Sequence, residues 1–319
     1  VGVKLDLKRL LMKSKIFRII GLAASIIFLL AYIHSPSFPT PDKLLVFLTF
    51  VFMSFGQAIN LLRRLGPFVA VVLAYESFRS VADKLNSHVN YSLASGFDRA
   101  VFGKLPTQYL QNWWWHGHTS WYDYVFYLAY LMHFIIPIGL ALIIWRYRDK
   151  QYWRVVNTYL VTAFGAFVTF FLFPAAPPWL ASNNHFIPHI TRISSDVWYG
   201  LGLKNFPSFY NHISPNPVAA VPSLHSAWAT LLLIFVYKNF GRRAAAVAFI
   251  YPFLIYVGTV YEGEHYVFDE LAGIIYAVAG YLVTPYLMNW YFRFVPKFKG
   301  LTRHSNLLYF KAERPIKQK

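Results

Sequence analysis

Eight apolar runs, at 16–33, 44–60, 65–82, 122–145, 155–173, 222–237, 244–260 and 267–290, leave this chain few ways to fold. In hydrocarbon every backbone N–H and C=O must find its partner inside the protein, so runs of this kind form helices, each of about 20 residues when it crosses a bilayer. Composition agrees: 57% of residues are hydrophobic, 13% are charged and the mean hydropathy is +0.40, which fits repeated spans better than a soluble core. The reading is an all-α integral membrane protein with about eight transmembrane helices. At 319 residues it has no room for a further large soluble domain, and no repeat, low-complexity tract or flexible linker divides it. Cysteine is absent, which excludes disulfides and thiol chemistry.

Charge orients the spans. With eight crossings both termini share one side, and 23 of the 30 Lys and Arg residues then fall on that side, leaving Lys43, Arg79, Lys84, Arg99, Lys104, Arg192 and Lys204 on the other. Basic residues stay in the cytoplasm, so both termini are expected there, in a multi-pass protein whose expected location is the plasma membrane. The formal charge of +17 does not indicate nucleic acid, because the basic residues flank spans and do not interleave with aromatics in one polar module. Anionic membrane lipids are the expected partner of the tail, which anchors the topology and is drawn to the leaflet by about 1 kcal/mol per basic residue. The first run lacks a clear cleavage site and is read as a retained anchor.

Two exterior segments are long. One, near 83–121, holds Trp113, Trp114 and Trp115, read as an interfacial aromatic belt, with a substrate lid as the sharper alternative. The other, 174–221, is rich in Pro, Asn, His and Ser. His225 opens the sixth run and His265 lies just before the eighth, so both fall at one membrane depth on the exterior side. There they meet the end of the fifth run, Pro177-Pro178-Trp179.

These three segments resemble the motifs of the type 2 phosphatidate phosphatase superfamily, over roughly 65–290 of this chain. Pro178-Trp179, Pro222-Ser223-Leu224-His225, and Thr259-Val260-Tyr261 followed by His265-Tyr266 and Asp269 are closest to its inositol phosphorylceramide synthase branch. The resemblance implies a six-helix catalytic membrane core at 65–290, preceded by a two-span anchor at 1–64 and followed by a basic cytoplasmic tail at 291–319. Phosphatases of the superfamily usually carry Lys and Arg in the first motif and a Ser-Arg pair before the last histidine. Here the first motif has no basic residue and Gly258-Thr259 stand at the pair's place. The resemblance therefore implies transfer of a phosphorylated headgroup, inositol phosphate in that branch, from a phospholipid donor to a lipid-alcohol acceptor through a phosphohistidine. No cofactor is implied. Hydrolysis of a lipid phosphate or polyprenyl phosphate is the first alternative, and an idle membrane scaffold or carrier is the second.

The residues support the same chemistry. Asp269 follows His265 by four, so on a helix the carboxylate can orient one imidazole nitrogen and leave the other to attack phosphorus. His265 is the expected nucleophile. His225, with an ordinary pKa near 6.5, is the expected general acid and base for both half-reactions. Pro222 is expected at the first helical position, with the amides of Ser223, Leu224 and His225 forming an anion site. Pro178, Trp179 and Tyr261 are expected to line the substrate site.

Arg79 and Arg192 are candidate phosphate cations, although Arg79 can equally pair with Glu76 and Asp83 on its helix, and Arg192 can be a solvated loop residue. His133, inside a span, is either functional or bonded to a neighbouring helix. Asp123 is read as a helix cap. His116, His118, His185, His189 and His212 match no strong zinc pattern, and a metal at His225, His265, Glu262 and Glu264 is disfavoured because no conventional ligand set is completed.

Overall fold

A computed structural model describes residues 15–35, 40–202 and 216–294, without the side chains of 79–85, 292 and 294. The basic tail beyond 294, Lys204 and His212 lie outside the described residues. All secondary structure described is helical apart from two isolated bridges. In chain order the helices are α1 (Lys15–His34), α2 (Pro41–Ser54), α3 (Ala58–Leu85), α4 (Leu93–Phe102), α5 (Pro106–Trp114), α6 (Trp121–Leu131) and α7 (Ile135–Tyr147). They continue with α8 (Tyr152–Leu172), α9 (Pro178–Asn183), α10 (Ile193–Gly200), α11 (Leu224–Phe240), α12 (Arg242–Ala248), α13 (Ile250–Tyr261) and α14 (Val267–Phe294).

Each expected run has a helical counterpart, but not every one spans by itself. Among the described residues five helices are long and apolar enough to cross a membrane, and six if the bent pair α6 and α7 counts as one. The expected run at 44–60 is cut short, because Gly56 takes a φ of 72° and ends α2 after 14 residues. The next helix is longer than expected and runs through Arg64 and Leu65, so the boundary expected between 64 and 65 falls inside α3.

Two breaks follow from proline. A helical proline clashes with the carbonyl four residues before it and has no N–H to offer that carbonyl. Pro137 thus prevents regular helix through His133, and α6 and α7 meet there at 58°. Pro252 acts likewise on Ala248, where α12 gives way to α13.

The core lies between α3, α7, α8 and α11, where Leu65, Phe68, Ile144, Tyr159, Leu231 and Phe235 are buried together. α1 instead packs on α2 and leaves Ile16, Ile19, Ile27 and Leu30 exposed, as a lipid-facing helix must. Without a hydrophobic force between helices in lipid, close approach through small residues holds them together. α14 does this twice: Gly273 packs on α11 and Gly280 on Thr162 of α8. A methyl at Gly273 would overlap the Ser226 hydroxyl and the Ser223 carbonyl. Gly273→Ala is therefore expected to lower stability by about 1–3 kcal/mol, read as a lower midpoint of thermal unfolding in detergent.

Candidate active site

At one end of the bundle three segments distant in sequence are joined by their backbones. Ala175 bridges both Asn90 and Ala219, with its N–H donating to Val218 at 2.7 Å and its carbonyl accepting from Ala220 at 3.2 Å. The Ser223 N–H donates to the Asp269 carbonyl at 3.0 Å, and the Ser226 hydroxyl to the Glu270 carbonyl at 3.0 Å, which ties the start of α11 to the first turn of α14. The turn before His265 is held from two sides, by Trp179 N–H on the Gly263 carbonyl at 3.1 Å and Ile193 N–H on the Glu262 carbonyl at 3.2 Å. Gly263 has a φ of 79° and lies so close to the Thr191 carbonyl that a Cβ would sit at 2.9 Å from it, so glycine is required.

The expected pairing of His265 with Asp269 is present, by a different route. His265 lies in the loop before α14, so the two do not share a helix face. Asp269 sits in the first turn and reaches back: its Oδ2 accepts from the Tyr266 N–H at 2.9 Å and lies 3.3 Å from His265 Nδ1. This is half of a capping box, with the imidazole as a second customer for the same oxygen. Asp269 is wholly buried and His265 nearly so. Burial pushes the His265 imidazole down, but the Asp269 hydrogen bond, with the charges of Glu270, Asp269 and Glu264, outweighs it and raises the group above its ordinary value.

The rest of that helix start is satisfied by a residue that no motif or spacing marks. Asp98 of α4, fully buried, accepts from the Val267 and Phe268 amides, each at 3.0 Å. Burial pushes its carboxyl up to about 6, an effect the two amides reduce and Asp269 reinforces. Asp98→Ala should cost about 1–2 kcal/mol, the usual loss for a removed cap, and should lower activity because Asp269 stands on the turn it holds. Denaturant unfolding and turnover on the same preparation check both.

At His225 the expectation about the helix start is corrected. Pro222 is not the first helical residue: α11 begins at Leu224, and Ser223 is its cap, with the hydroxyl accepting from Ser226 N–H at 3.3 Å. The Ser223 amide is used by Asp269, so it is not part of an anion site; Leu224 now heads the first turn. The ring centroids of His225 and His265 are 5.6 Å apart, with planes at 57°. His225 also stacks on Tyr130, at 4.4 Å and 17°, and faces His133 at 4.3 Å. His133, buried at the break between α6 and α7, stacks in turn on Trp228 at 4.4 Å and 12°.

Arg192 is no solvated loop residue. Its Nε donates to Glu264 Oε1 at 2.8 Å, its Nη2 lies 3.4 Å from Oε2, and its guanidinium covers the Trp179 ring at 4.1 Å. Ser194 donates to the same carboxylate. Burial pushes Glu264 up, but Arg192 and Ser194 prevail and hold it below the usual carboxylate range. Glu262 is the opposite case: burial, then the charges of Glu264 and Asp123, push it well above that range. Arg192 therefore has much of its charge already matched by Glu264, the residue before His265.

Pro178 begins α9, and Trp179 follows it with its ring under the Arg192 guanidinium. Tyr261 is a correction. It is wholly buried, and its hydroxyl donates to Asp123 Oδ1 at 2.7 Å, so it braces the turn instead of lining a substrate site. Ser120, not Asp123, is the cap of α6; Asp123 stands three residues on and closes the capping box, its Oδ2 accepting from the Ser120 N–H at 2.6 Å. Trp114 packs on Phe126 and Tyr261, whereas Trp113 is exposed, so the triplet is not one uniform belt. The Arg79 side chain lies outside the described residues. Among the described residues no cluster of three or more His, Asp or Glu groups is arranged to hold a metal ion.

Besides Asp98, two groups escaped the sequence reading: Glu270, which accepts from Thr259 Oγ1 at 2.8 Å, and Gln111, which donates to the Thr191 and Tyr261 carbonyls at 2.8 and 2.9 Å. Adjacency to Asp269 was the only sequence signal for Glu270, and Gln111 had none.

Comparison with known proteins places this geometry in context. A model of the PAP2 superfamily matches residues 95–283, a stretch that contains Asp98, His225, His265 and Asp269. A phosphoinositol dihydroceramide synthase of Bacteroides thetaiotaomicron is 27% identical over 236 residues, which is 69% of this chain and 75% of that protein. No solved structure matches.

Proposed function

We propose that this chain, which belongs to the PAP2 superfamily and is a multi-pass membrane enzyme of lipid phosphoryl chemistry, moves a phosphorylated headgroup from a phospholipid to a lipid hydroxyl. The observation that carries the proposal is the facing pair of histidines at 5.6 Å, one of them backed by a buried carboxylate. With Nδ1 turned to Asp269, the His265 Nε2 lone pair attacks phosphorus, and the bond from phosphorus to the departing diacylglycerol oxygen breaks. His225 gives that oxygen its proton. The acceptor hydroxyl then loses its proton to His225, its oxygen attacks phosphorus, and the bond to Nε2 breaks. His225 thus ends as it began, and neither half-reaction needs another acid or base.

Inositol phosphate is the headgroup we propose and a ceramide-like alcohol the acceptor, because the relative from Bacteroides thetaiotaomicron is named for that product. The cation-poor first motif and the matched charge of Arg192 suit a singly charged phosphodiester better than a doubly charged phosphomonoester. We place the site at the exterior face of the plasma membrane with both termini cytoplasmic, on the strength of the charge asymmetry. Cysteines introduced at exposed Phe186 and Tyr147, at opposite ends of the bundle, should react with an impermeant reagent in intact cells only at 186; labelling of 147 alone would reverse the orientation.

The activity is tested with the purified protein and phosphatidylinositol labelled in its headgroup, with and without a ceramide. The expected result is a labelled phosphosphingolipid that forms only when the acceptor is present. Free inositol phosphate formed regardless of acceptor would make the chain a hydrolase, and unchanged lipid in both arms would reject both.

A further inference from the structure

The bend at Pro137 does more than shorten a span. It turns residues 130 to 134 toward the start of α11, and the result is a column of four rings: Tyr130, His225, His133 and Trp228. The spacings are 4.4, 4.3 and 4.4 Å; Tyr130 stacks on His225 at 17° and Trp228 on His133 at 12°, while the two imidazoles are tilted by 41°. The far end of the column is fixed, since Trp228 is buried, Tyr159 packs edge-on against it at 5.5 Å, and the Tyr159 hydroxyl donates to the Trp228 carbonyl. His225 is therefore in ring contact with both Tyr130 and His133, the second of which is itself backed by Trp228.

We propose that Tyr130 and His133 are positioning residues for His225, which hold its ring in the plane needed for proton transfer and favour its charged form through their faces. The proposal rests on His225 being the proton carrier of the reaction. A proton carrier at this place must become a cation and then lose the proton within one turnover, and a cation between two aromatic faces is stabilised by the negative charge over each ring. The two ring contacts also restrict rotation about the ring's bonds, which matters because misplacement of a reacting group by about 1 Å costs on the order of 100-fold in rate. Neither residue offers the substrate a group of its own in this role, so the effect must reside in kcat.

Four variants of the full-length protein test it, Tyr130→Phe, Tyr130→Leu, His133→Phe and His133→Leu, each assayed for headgroup transfer. Phenylalanine keeps a face at either position, and kcat should stay within about threefold of the parent. Leucine keeps bulk and loses the face, and kcat should fall about tenfold or more with KM within about twofold. Leucine variants that purify as folded protein and retain kcat overturn the proposal, as do phenylalanine variants as impaired as the leucine ones. His225→Ala serves as the reference: full activity there would refute the role of His225 itself, whereas an inactive His225→Ala beside an unaffected Tyr130→Leu would refute only the clamp. If the leucine variants do not fold, the parent protein still decides. The ring protons of His225, assigned by their loss in His225→Ala, should resonate upfield because of the flanking rings, and ordinary shifts would overturn the proposal.

Discussion

Replacing His265 by glutamine lowers turnover by on the order of 10⁴-fold or more and leaves no phosphate on the protein, the size of loss seen when a covalent nucleophile is removed while its neighbours remain. The reason is local. His265 has Nδ1 3.3 Å from the buried Asp269 carboxylate, so the substitution removes the attacking nitrogen together with the group that orients it. Glutamine preserves polarity and approximate length, which keeps the turn anchored by Gly263 and the hydrogen bond from residue 265 N–H to the Thr259 carbonyl. Circular dichroism and the thermal midpoint should therefore remain near those of the parent while transfer is lost. A variant that keeps a tenth of the parental rate would require another nucleophile.

Asp269→Asn has the second largest effect, a loss of about 10² to 10⁴-fold, with a diagnostic change in pH dependence. The asparagine amide can present an N–H where the carboxylate presented an acceptor, so the imidazole is held in the wrong tautomer or not at all. The sign of the pH effect follows from the charge removed. In the parent, burial lowers the His265 imidazole while Asp269, with Glu270 and Glu264, raises it above its ordinary value, so the attacking neutral form is lost as pH falls through that raised value. Without the Asp269 charge the acid limb of kcat/KM should move to lower pH, on a much lower plateau. A limb that stays in place would show that Asp269 does not face the titrating group.

The sequence carried the membrane class, the positions of the apolar runs and the meeting of three motif segments, because each is written in local hydrophobicity or in residues adjacent in the chain. What it carried less well was how those segments end. Pro222 looked like a helix start, yet Ser223 has the side chain that can accept from Ser226, and that choice moved the helix boundary by two residues. The pairing of His265 with Asp269 was legible from spacing, but the geometry came from the cap of α14 and not from a helix face. The breaks at Pro137 and Pro252 were available in principle, since a proline marks the residue four before it, but hydropathy alone runs straight through both.

Other parts of the site could not have been read locally. Asp98 caps a helix 169 residues away, and Arg192 finds Glu264 across 72 residues. Such pairs are set by packing, and a lone Asp or Arg between the apolar runs gives no sign of them. Tyr261 failed in the other direction: its place in a motif suggested contact with substrate, while its hydroxyl is committed to Asp123. His133 lay undecided between structural and functional readings, and only the fold shows its ring against His225.

The central claim is that phosphate passes through His265. It is tested most directly by mixing the purified protein with phosphatidylinositol labelled at phosphorus in the absence of acceptor, quenching at early times, and then chasing with a ceramide. The account predicts label on His265, labile in acid and stable in alkali, that disappears on the chase as labelled phosphosphingolipid appears at the same rate. Transfer that proceeds at full rate with no label on the protein, or label that persists in His265→Gln, would contradict it.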